Sequence, residues 1–312
     1  MPGKKKKHPK IKTALHPRNK HRTRCDFERL IADSPELAEF VQKNDYGDES
    51  IDFFHHEAVI TLNKALLKTY YGIRNWDIPR AYLCPPVPGR ADYIHYVADL
   101  LSHHEQIPRG KKVKCLDIGV GANIIYPLIG VAEYGWSFVG SDIDSSALAF
   151  AGKIIAANPS LRGRITLRKQ RNPAKIFEGI IHHGERFDAV ICNPPFYGSP
   201  EEAKSATARK LNNLTGIKSG HISRNFGGQS NELWCEGGEK RFIKEMIFES
   251  KEFADHVLWF TTLVSKQAHL DYFYKILEKT KPTTTKTISM GQGNKKSRIL
   301  AWSFGTADSK TQ

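Results

Sequence analysis

Between residues 113 and 142 the chain runs from an apolar stretch to a glycine turn, a helix-length segment, a second apolar stretch and an acid. Few folds admit that order. Val113 to Ile118 is short and apolar and ends on Gly119-Val120-Gly121. Ser137 to Ser141 is the second apolar stretch, and Asp142 closes it twenty-one positions after Gly121. Glycines at the end of a strand let the backbone turn tightly and approach a ligand. An acid at the end of the next strand is placed to accept hydrogen bonds from both hydroxyls of a ribose. The segment therefore predicts a strand-helix-strand unit with a nucleotide-like cofactor at its carboxyl edge.

The rest of the chain continues the alternation. Helices are expected at Ser145 to Ala157, Lys240 to Phe253 and Gln267 to Lys279. Strands are expected at Arg164 to Leu167, Phe187 to Cys192 and His256 to Val264, with Thr285 to Met290 and Arg298 to Phe304 pairing last. Such alternation predicts an α/β fold, a mostly parallel sheet covered by helices. Before it, Asp26 to Asn44 and Glu57 to Lys68 read as amphipathic helices. Cys84-Pro85-Pro86-Val87-Pro88-Gly89-Arg90 reads as an extended connector, because proline removes a helix donor and restricts its neighbour. A helix bearing Tyr93, Ile94, Val97, Leu100 and Leu101 on one side follows. Residues 197–239 form a long polar loop, a length that is uncommon unless the loop is functional or disordered.

Of the 47 Lys and Arg residues, ten precede Asp26 with no acid among them, so the remainder of the chain carries only +4 of the net +14. The basicity is a tail. It is expected to be disordered over residues 1–25, and lysine clusters of this kind bind nucleic acid through counterion release with little regard to sequence. No apolar run reaches membrane-helix length, and no secretory pattern follows the basic N-terminus. Five dispersed cysteines without CxxC spacing fit reduced thiols in the cytoplasm. The histidine pairs 55–56, 103–104 and 182–183 diverge on any regular element and lack ligand partners at metal spacing, so no metal is expected.

The glycine turn admits either a dinucleotide or S-adenosylmethionine. A dinucleotide fingerprint has a third glycine, where this chain has Ile124. Asp117 would repel a pyrophosphate but suits the ammonium of a methionine moiety, directly or through water. The balance favours S-adenosylmethionine. The strand Phe187 to Cys192 then runs directly into Asn193-Pro194-Pro195-Phe196. The lone pair of an exocyclic amine is delocalised into its ring or carbonyl. If the Asn193 side-chain oxygen and the Pro194 carbonyl each accept one N–H, the lone pair is freed toward a methyl donor. The prolines preorganise those acceptors, and Phe196 offers a flat face for a planar base. Adenine, cytosine and the glutamine side chain all satisfy that pattern; the cationic tail favours a base, which must be extruded to reach the pocket.

Four segments together resemble a known family. They are Pro85 to His95, Asp117 to Pro127, Asn193 to Phe196 and Glu236-Gly237-Gly238-Glu239. The chain resembles the adenine-N6 methyltransferases of large-subunit ribosomal RNA, bacterial enzymes that act on 23S rRNA, with relatives acting on U6 small nuclear RNA. The resemblance covers nearly everything after the lysine tail. It implies a class I, Rossmann-like S-adenosylmethionine-dependent methyltransferase core over residues 106–312, preceded at residues 26–105 by a mainly helical RNA-binding module. It implies that Arg90 binds the methionine carboxylate, that Gly119, Gly121 and Asn123 line the cofactor, and that Asp142 binds ribose. Asn172 would lie near the cofactor's adenine. RNA contacts would come from Lys4, Lys5, Lys6, Lys7, Arg18, Arg22 and Arg24, and from loop cations Lys204, Arg209, Lys210 and Arg224. The implied partner is ribosomal RNA, or an assembling large subunit, in the cytoplasm. A protein glutamine-N5 methyltransferase and an inactive RNA-binding assembly factor are the alternatives. The first leaves the lysine tail without a role, and intact Asp142 and Asn193 argue against the second.

Overall fold

The computed structural model describes residues 11–203, 205, 230–292 and 295–305. Lys4, Lys5, Lys6, Lys7, Lys204, Arg209, Lys210 and Arg224 lie outside them. A short hairpin, β1 (Val41–Lys43) with β2 (Glu49–Ile51), precedes the strands of the main sheet. Those strands are β3 (Lys114–Ile118), β4 (Ser137–Asp142), β5 (Ile165–Lys169), β6 (Phe187–Cys192), β7 (Val257–Val264), β8 (Thr284–Gln292) and β9 (Lys295–Ser303). Their order is β5-β4-β3-β6-β7-β9-β8. The first five run parallel, whereas β9 is antiparallel to both β7 and β8. The last two strands thus pair as expected.

Helices α1 (Phe27–Asp33), α2 (His56–Tyr71) and α3 (Val87–Leu101) precede the sheet. Helices α4 (Ile125–Tyr134), α5 (Ser145–Ala157), α6 (Gly238–Ser250) and α7 (Leu270–Thr280) connect its strands. Strand side chains alternate between faces. Cys115, Ala189 and Ile191 join a cluster with Leu66, Ile94, Val97 and Leu128 of α2, α3 and α4. Leu116, Ile118, Val190 and Cys192 join Ile243, Met246, Phe273 and Leu277 of α6 and α7. The N-terminal helices therefore share a buried core with the sheet.

Three expectations at the N-terminus change. Asp26 to Asn44 is not one helix. α1 stops at Asp33, Pro35–Phe40 is a 3-10 turn, and β1 follows. Pro35 disfavours the helical conformation at Ser34. The proline-rich stretch is not wholly extended, because α3 begins at Val87 with Pro88 in its first turn, where a missing N–H costs nothing. Arg90 is therefore carried on a helix.

The third change concerns residues 11–25, which are a strap and not a disordered tail. Ile11 bridges Thr23, and Leu15 is buried. The strap binds acids and carbonyls of α3. His16 N–H donates to Asp92 Oδ1 at 3.0 Å, and the Asn19 amide donates to Pro88 O at 2.8 Å and to Asp92. Arg18 donates to Asp99 Oδ1 at 2.6 Å and His95 O at 2.9 Å, so it is committed within the protein. Arg24 pairs with Asp48, and Lys20 with Glu133. Arg22 is half-buried, and its Nε has no hydrogen-bond partner among the described residues.

Candidate active site

The chain runs outward from β3 through β4 to β5, then returns to place β6 on the other side of β3. A crevice opens at such a reversal, outside the carboxyl ends of the strands. Ile118 stands level with Ser141 of β4 and with Cys192 of β6, so Gly119, Asp142 and Asn193 leave the sheet together. A cavity of about 750 Å³ lies there. Arg90, Gly119, Gly121, Asn123, Asp142, Asn193, Pro194 and Pro195 line it. Asp117, Asn172 and Phe196 stand outside its wall.

Gly119 and Gly121 both have positive φ, 72° and 63°, which a side chain would strain. A Cβ at Gly121 would also stand 3.3 Å from Glu232 Oε1, which crosses the crevice to this loop. Ile124, at the place of a third glycine, has φ 43°, a strained value for a β-branched residue. Asn123 Oδ1 accepts from the N–H of Ile125, the first residue of α4, at 3.1 Å. Asp142 is held by N–H donors, Gly121 to Oδ2 and Asp144 to Oδ1, each at 2.9 Å. Burial lifts the Asp142 carboxyl above its ordinary pKa, and those donors pull the other way.

Arg90 reaches the cavity from the first turns of α3. Its Nη1 donates to Tyr126 Oη at 2.6 Å and its guanidinium lies 5.5 Å from the Tyr126 ring centre. Arg90 Nε is buried without a partner among the described residues. Both carboxylate oxygens of Asp117 are likewise buried and unpartnered. Burial, then the nearby Asp142 charge, raise the Asp117 pKa well above the carboxylate range, against the pull of Arg90. Past the end of β6, Asn193 Oδ1 is a fourth buried atom with no partner among the described residues. The strand beneath it is braced by Tyr93. Thr261 Oγ1 donates to Val190 O at 2.6 Å, so Tyr93 Oη donates to Thr261 Oγ1 (2.8 Å) and accepts from Cys192 N–H (3.3 Å).

The two arms of segment 197–239 meet beside the Asn-Pro-Pro turn. Phe196 and Tyr197 N–H both donate to Leu233 O, at 3.1 and 3.0 Å, and Cys235 N–H donates to Tyr197 O at 3.1 Å. Gly238 has φ 60°, and a Cβ there would lie 3.0 Å from Gly198 N, so only glycine lets the arms close. Glu239 is buried and fixes the junction to the end of β7. It accepts from Ser265 N–H at 2.8 Å and binds His269 Nδ1 at 2.9 Å. Asn172 is exposed. Its Oδ1 accepts from Ala174 N–H at 3.1 Å, shaping the turn whose Pro173 to Ile176 line the cavity. Sequence reasoning assigned no role to Tyr126, Tyr93, Glu232 or Glu239. The two tyrosines and Glu239 lie in the segments that carried the family resemblance, which was the available signal. No group of three or more metal-capable side chains occurs among the described residues, and no described helix is long and apolar enough to cross a membrane.

A family model described as RNA methyltransferase matches residues 9–306. The ribosomal RNA large subunit methyltransferase F of Cytophaga hutchinsonii is 56% identical over 310 residues, spanning 99% of this chain and 96% of that protein. Its namesake in Flavobacterium johnsoniae is 54% identical over 297 residues, 94% of each chain. Among solved structures, the human METTL16 catalytic domain in complex with MAT2A 3'UTR hairpin 1 is similar with a TM-score of 0.78 and 28% identity, covering 94% of this chain and 96% of that one. The N-terminal domain of human METTL16 in complex with SAH is similar at 0.74 and 28%, covering 94% and 99%.

Proposed function

Because the chain belongs to the RNA methyltransferase family, we propose that it transfers a methyl group from S-adenosylmethionine to the N6 amine of one adenine in large-subunit (23S) ribosomal RNA. The observation that carries the reading is the set of polar atoms buried at the crevice with no partner among the described residues, Arg90 Nε, the Asp117 carboxylate and Asn193 Oδ1. Burying such atoms unpaired costs free energy that a bound group of matching chemistry recovers. A donor in the cavity wall and a carboxylate buried behind it match the carboxylate and ammonium of a methionine moiety. The amide acceptor past the end of β6 matches an amine.

When bound, S-adenosylmethionine supplies an electrophilic methyl on its sulfonium. Arg90, steadied by Tyr126, holds the carboxylate and Asp117 the ammonium, while Asp142 takes the ribose hydroxyls. Asn193 Oδ1 and Pro194 O accept the two amine hydrogens and free the nitrogen lone pair toward the methyl. These acceptors are preorganised by the prolines and by the Tyr93 brace beneath them. No strong base is needed, since the proton leaves to water after transfer. Phe196, next to the wall residue Pro195, offers a flat face for the base. The substrate is ribosomal RNA, free or in an assembling subunit, in the cytoplasm.

Mass spectrometry of rRNA nucleosides from cells with and without the gene tests this. Loss of N6-methyladenosine from large-subunit rRNA, restored by the wild-type gene and not by Asn193→Ala, is expected. An unchanged N6-methyladenosine content refutes it.

A further inference from the structure

One polar atom in the cavity wall has no role in the chemistry above. Trp234 lines the cavity, and its Nε1 is buried with no hydrogen-bond partner among the described residues. Three other tryptophans have their indole nitrogens paired. Trp76 donates to Asn123 O at 3.0 Å, Trp136 to Pro108 O at 2.8 Å and Trp302 to Ser250 Oγ at 2.9 Å. An indole nitrogen can only donate, and a buried donor is normally paired. Trp234 therefore lacks an acceptor that its three counterparts have.

Its place in the loop says which acceptor. Glu232, two residues earlier, accepts from Leu83 N–H at 2.9 Å and reaches the glycine loop, the cofactor side of the crevice. Trp234 itself bridges Tyr197, four residues past Asn193. The segment thus crosses from the cofactor loop to the Asn-Pro-Pro turn, and Trp234 stands at the amine end. Asn193 Oδ1 and Pro194 O there are acceptors, which read an amine without reading what lies beside it.

We propose that the Trp234 indole N–H is a specificity determinant that donates a hydrogen bond to a ring nitrogen flanking the amine of the target adenine. The assignment rests on the proposed function. A donor beside two acceptors makes the site complementary to an amine with an adjacent ring nitrogen, the edge that adenine presents as N6 with N1 or N6 with N7. A base lacking that nitrogen leaves the indole N–H buried and unpaired, and unmet polar groups are what give such sites their discrimination.

The test uses the full-length protein and an rRNA fragment containing the mapped adenine, made with adenosine, 1-deazaadenosine or 7-deazaadenosine at that position. With wild-type protein, one of the two deaza substrates should lose about tenfold to a hundredfold in kcat/KM, the range expected for stranding one buried donor. Trp234→Phe, which keeps a flat ring and removes the N–H, should lose a similar factor on adenosine and show no further loss on that deaza substrate. S-adenosylhomocysteine affinity by calorimetry should be unchanged in the variant, which also reports that it is folded. Equal rates of wild-type protein on all three substrates overturn the proposal without reference to any variant. So does a deaza penalty that persists undiminished in Trp234→Phe, or a loss of cofactor affinity matching the loss in kcat/KM. A wild-type protein inactive on the unmodified fragment overturns the proposed function itself, and that failure is seen before any deaza substrate is compared.

Discussion

Asp117→Asn should stabilise the free protein while crippling cofactor binding. The carboxylate is buried, neither oxygen has a partner among the described residues, and the nearest opposing influence is Arg90. A buried polar group left unpaired costs about 1–3 kcal/mol, and a charged one more. An amide of the same shape still pays the neutral polar cost and removes only the excess due to charge, on the order of 1–3 kcal/mol. In a chain this size each kcal/mol shifts Tm by about 2 °C, so a rise of about 2–6 °C is expected at neutral pH. The sign with pH follows from the raised pKa. The folded protein holds this proton more tightly than the unfolded chain, so the group costs nothing below the ordinary aspartate pKa of about 3.9. The penalty grows as pH rises through the window up to the raised value, and the Tm advantage of the variant should grow with it. Binding runs the other way, because an ammonium partner favours the ionised form. Wild-type affinity for S-adenosylmethionine should fall as pH drops through the same window, with proton release on binding, while the variant's affinity stays flat. At neutral pH the variant should bind about tenfold to a hundredfold more weakly, the loss of one charge-assisted hydrogen bond. Scanning calorimetry across pH, with titration calorimetry in two buffers of different ionisation enthalpy, measures both. An unchanged or lower Tm together with affinity within about twofold of wild type would refute the reasoning.

Three further outcomes are expected. Asn193→Ala should keep S-adenosylhomocysteine affinity by calorimetry while lowering kcat by about a hundredfold, as removal of a transition-state contact does; near-normal turnover would place the amine elsewhere. Glu185 accepts from both terminal nitrogens of Arg168, at 2.6 and 2.8 Å, and from Lys114 at 2.8 Å, and the Arg168 bonds first, then those of Lys114, depress its pKa. Its stabilisation is therefore full above the unfolded glutamate pKa of about 4.3 and lost as pH falls below it, so Glu185→Gln should lower Tm at neutral pH and flatten the wild-type decline in acid. Deleting residues 1–10 removes five lysines and should flatten the slope of log RNA affinity against log salt by at most about 3.5–4.5, leaving cofactor affinity intact, whereas deleting residues 1–24 should weaken the cofactor as well. An unchanged slope on the first deletion would make those lysines a solvated appendage.

The sheet was legible because its signals are local. Strand alternation, the Gly119 turn and Asp142 lie within one strand-helix-strand unit, and the register that brings Asn193 beside them follows once the strands are parallel. Glu239 was legible only as part of a motif. Its partners Ser265 and His269 stand about a helix and a strand away, and nothing in a linear pattern pairs them. Tyr126 shows the same limit, since its bond to Arg90 depends on a helix where the prolines predict an extended connector. Asn172 shows the converse. Its loop borders the cavity, but its side-chain oxygen accepts from Ala174 N–H, a local bond that competes with any contact to a ligand.

Counting charge along the sequence treats the ten cations before Asp26 as equivalent, and the fold sorts them. Arg18, Lys20 and Arg24 are each paired with an acid of the body, contributed by α3, by α4 and by the β1-β2 turn respectively. What made them look like a free tail is that their acids lie between 24 and 113 residues downstream, beyond any window in which charge pattern is read. The consequence reaches the active site. His16 and Asn19 bind Asp92, two residues from Arg90 on the same helix, so the strap also seats the helix that carries Arg90 to the cavity. The lysine arm has a fixed origin at Ile11, and ten residues at full extension span about 35 Å. The phosphate contacts proposed for Lys4 to Lys10 are therefore bounded by about that distance from Ile11, plus the length of a lysine side chain.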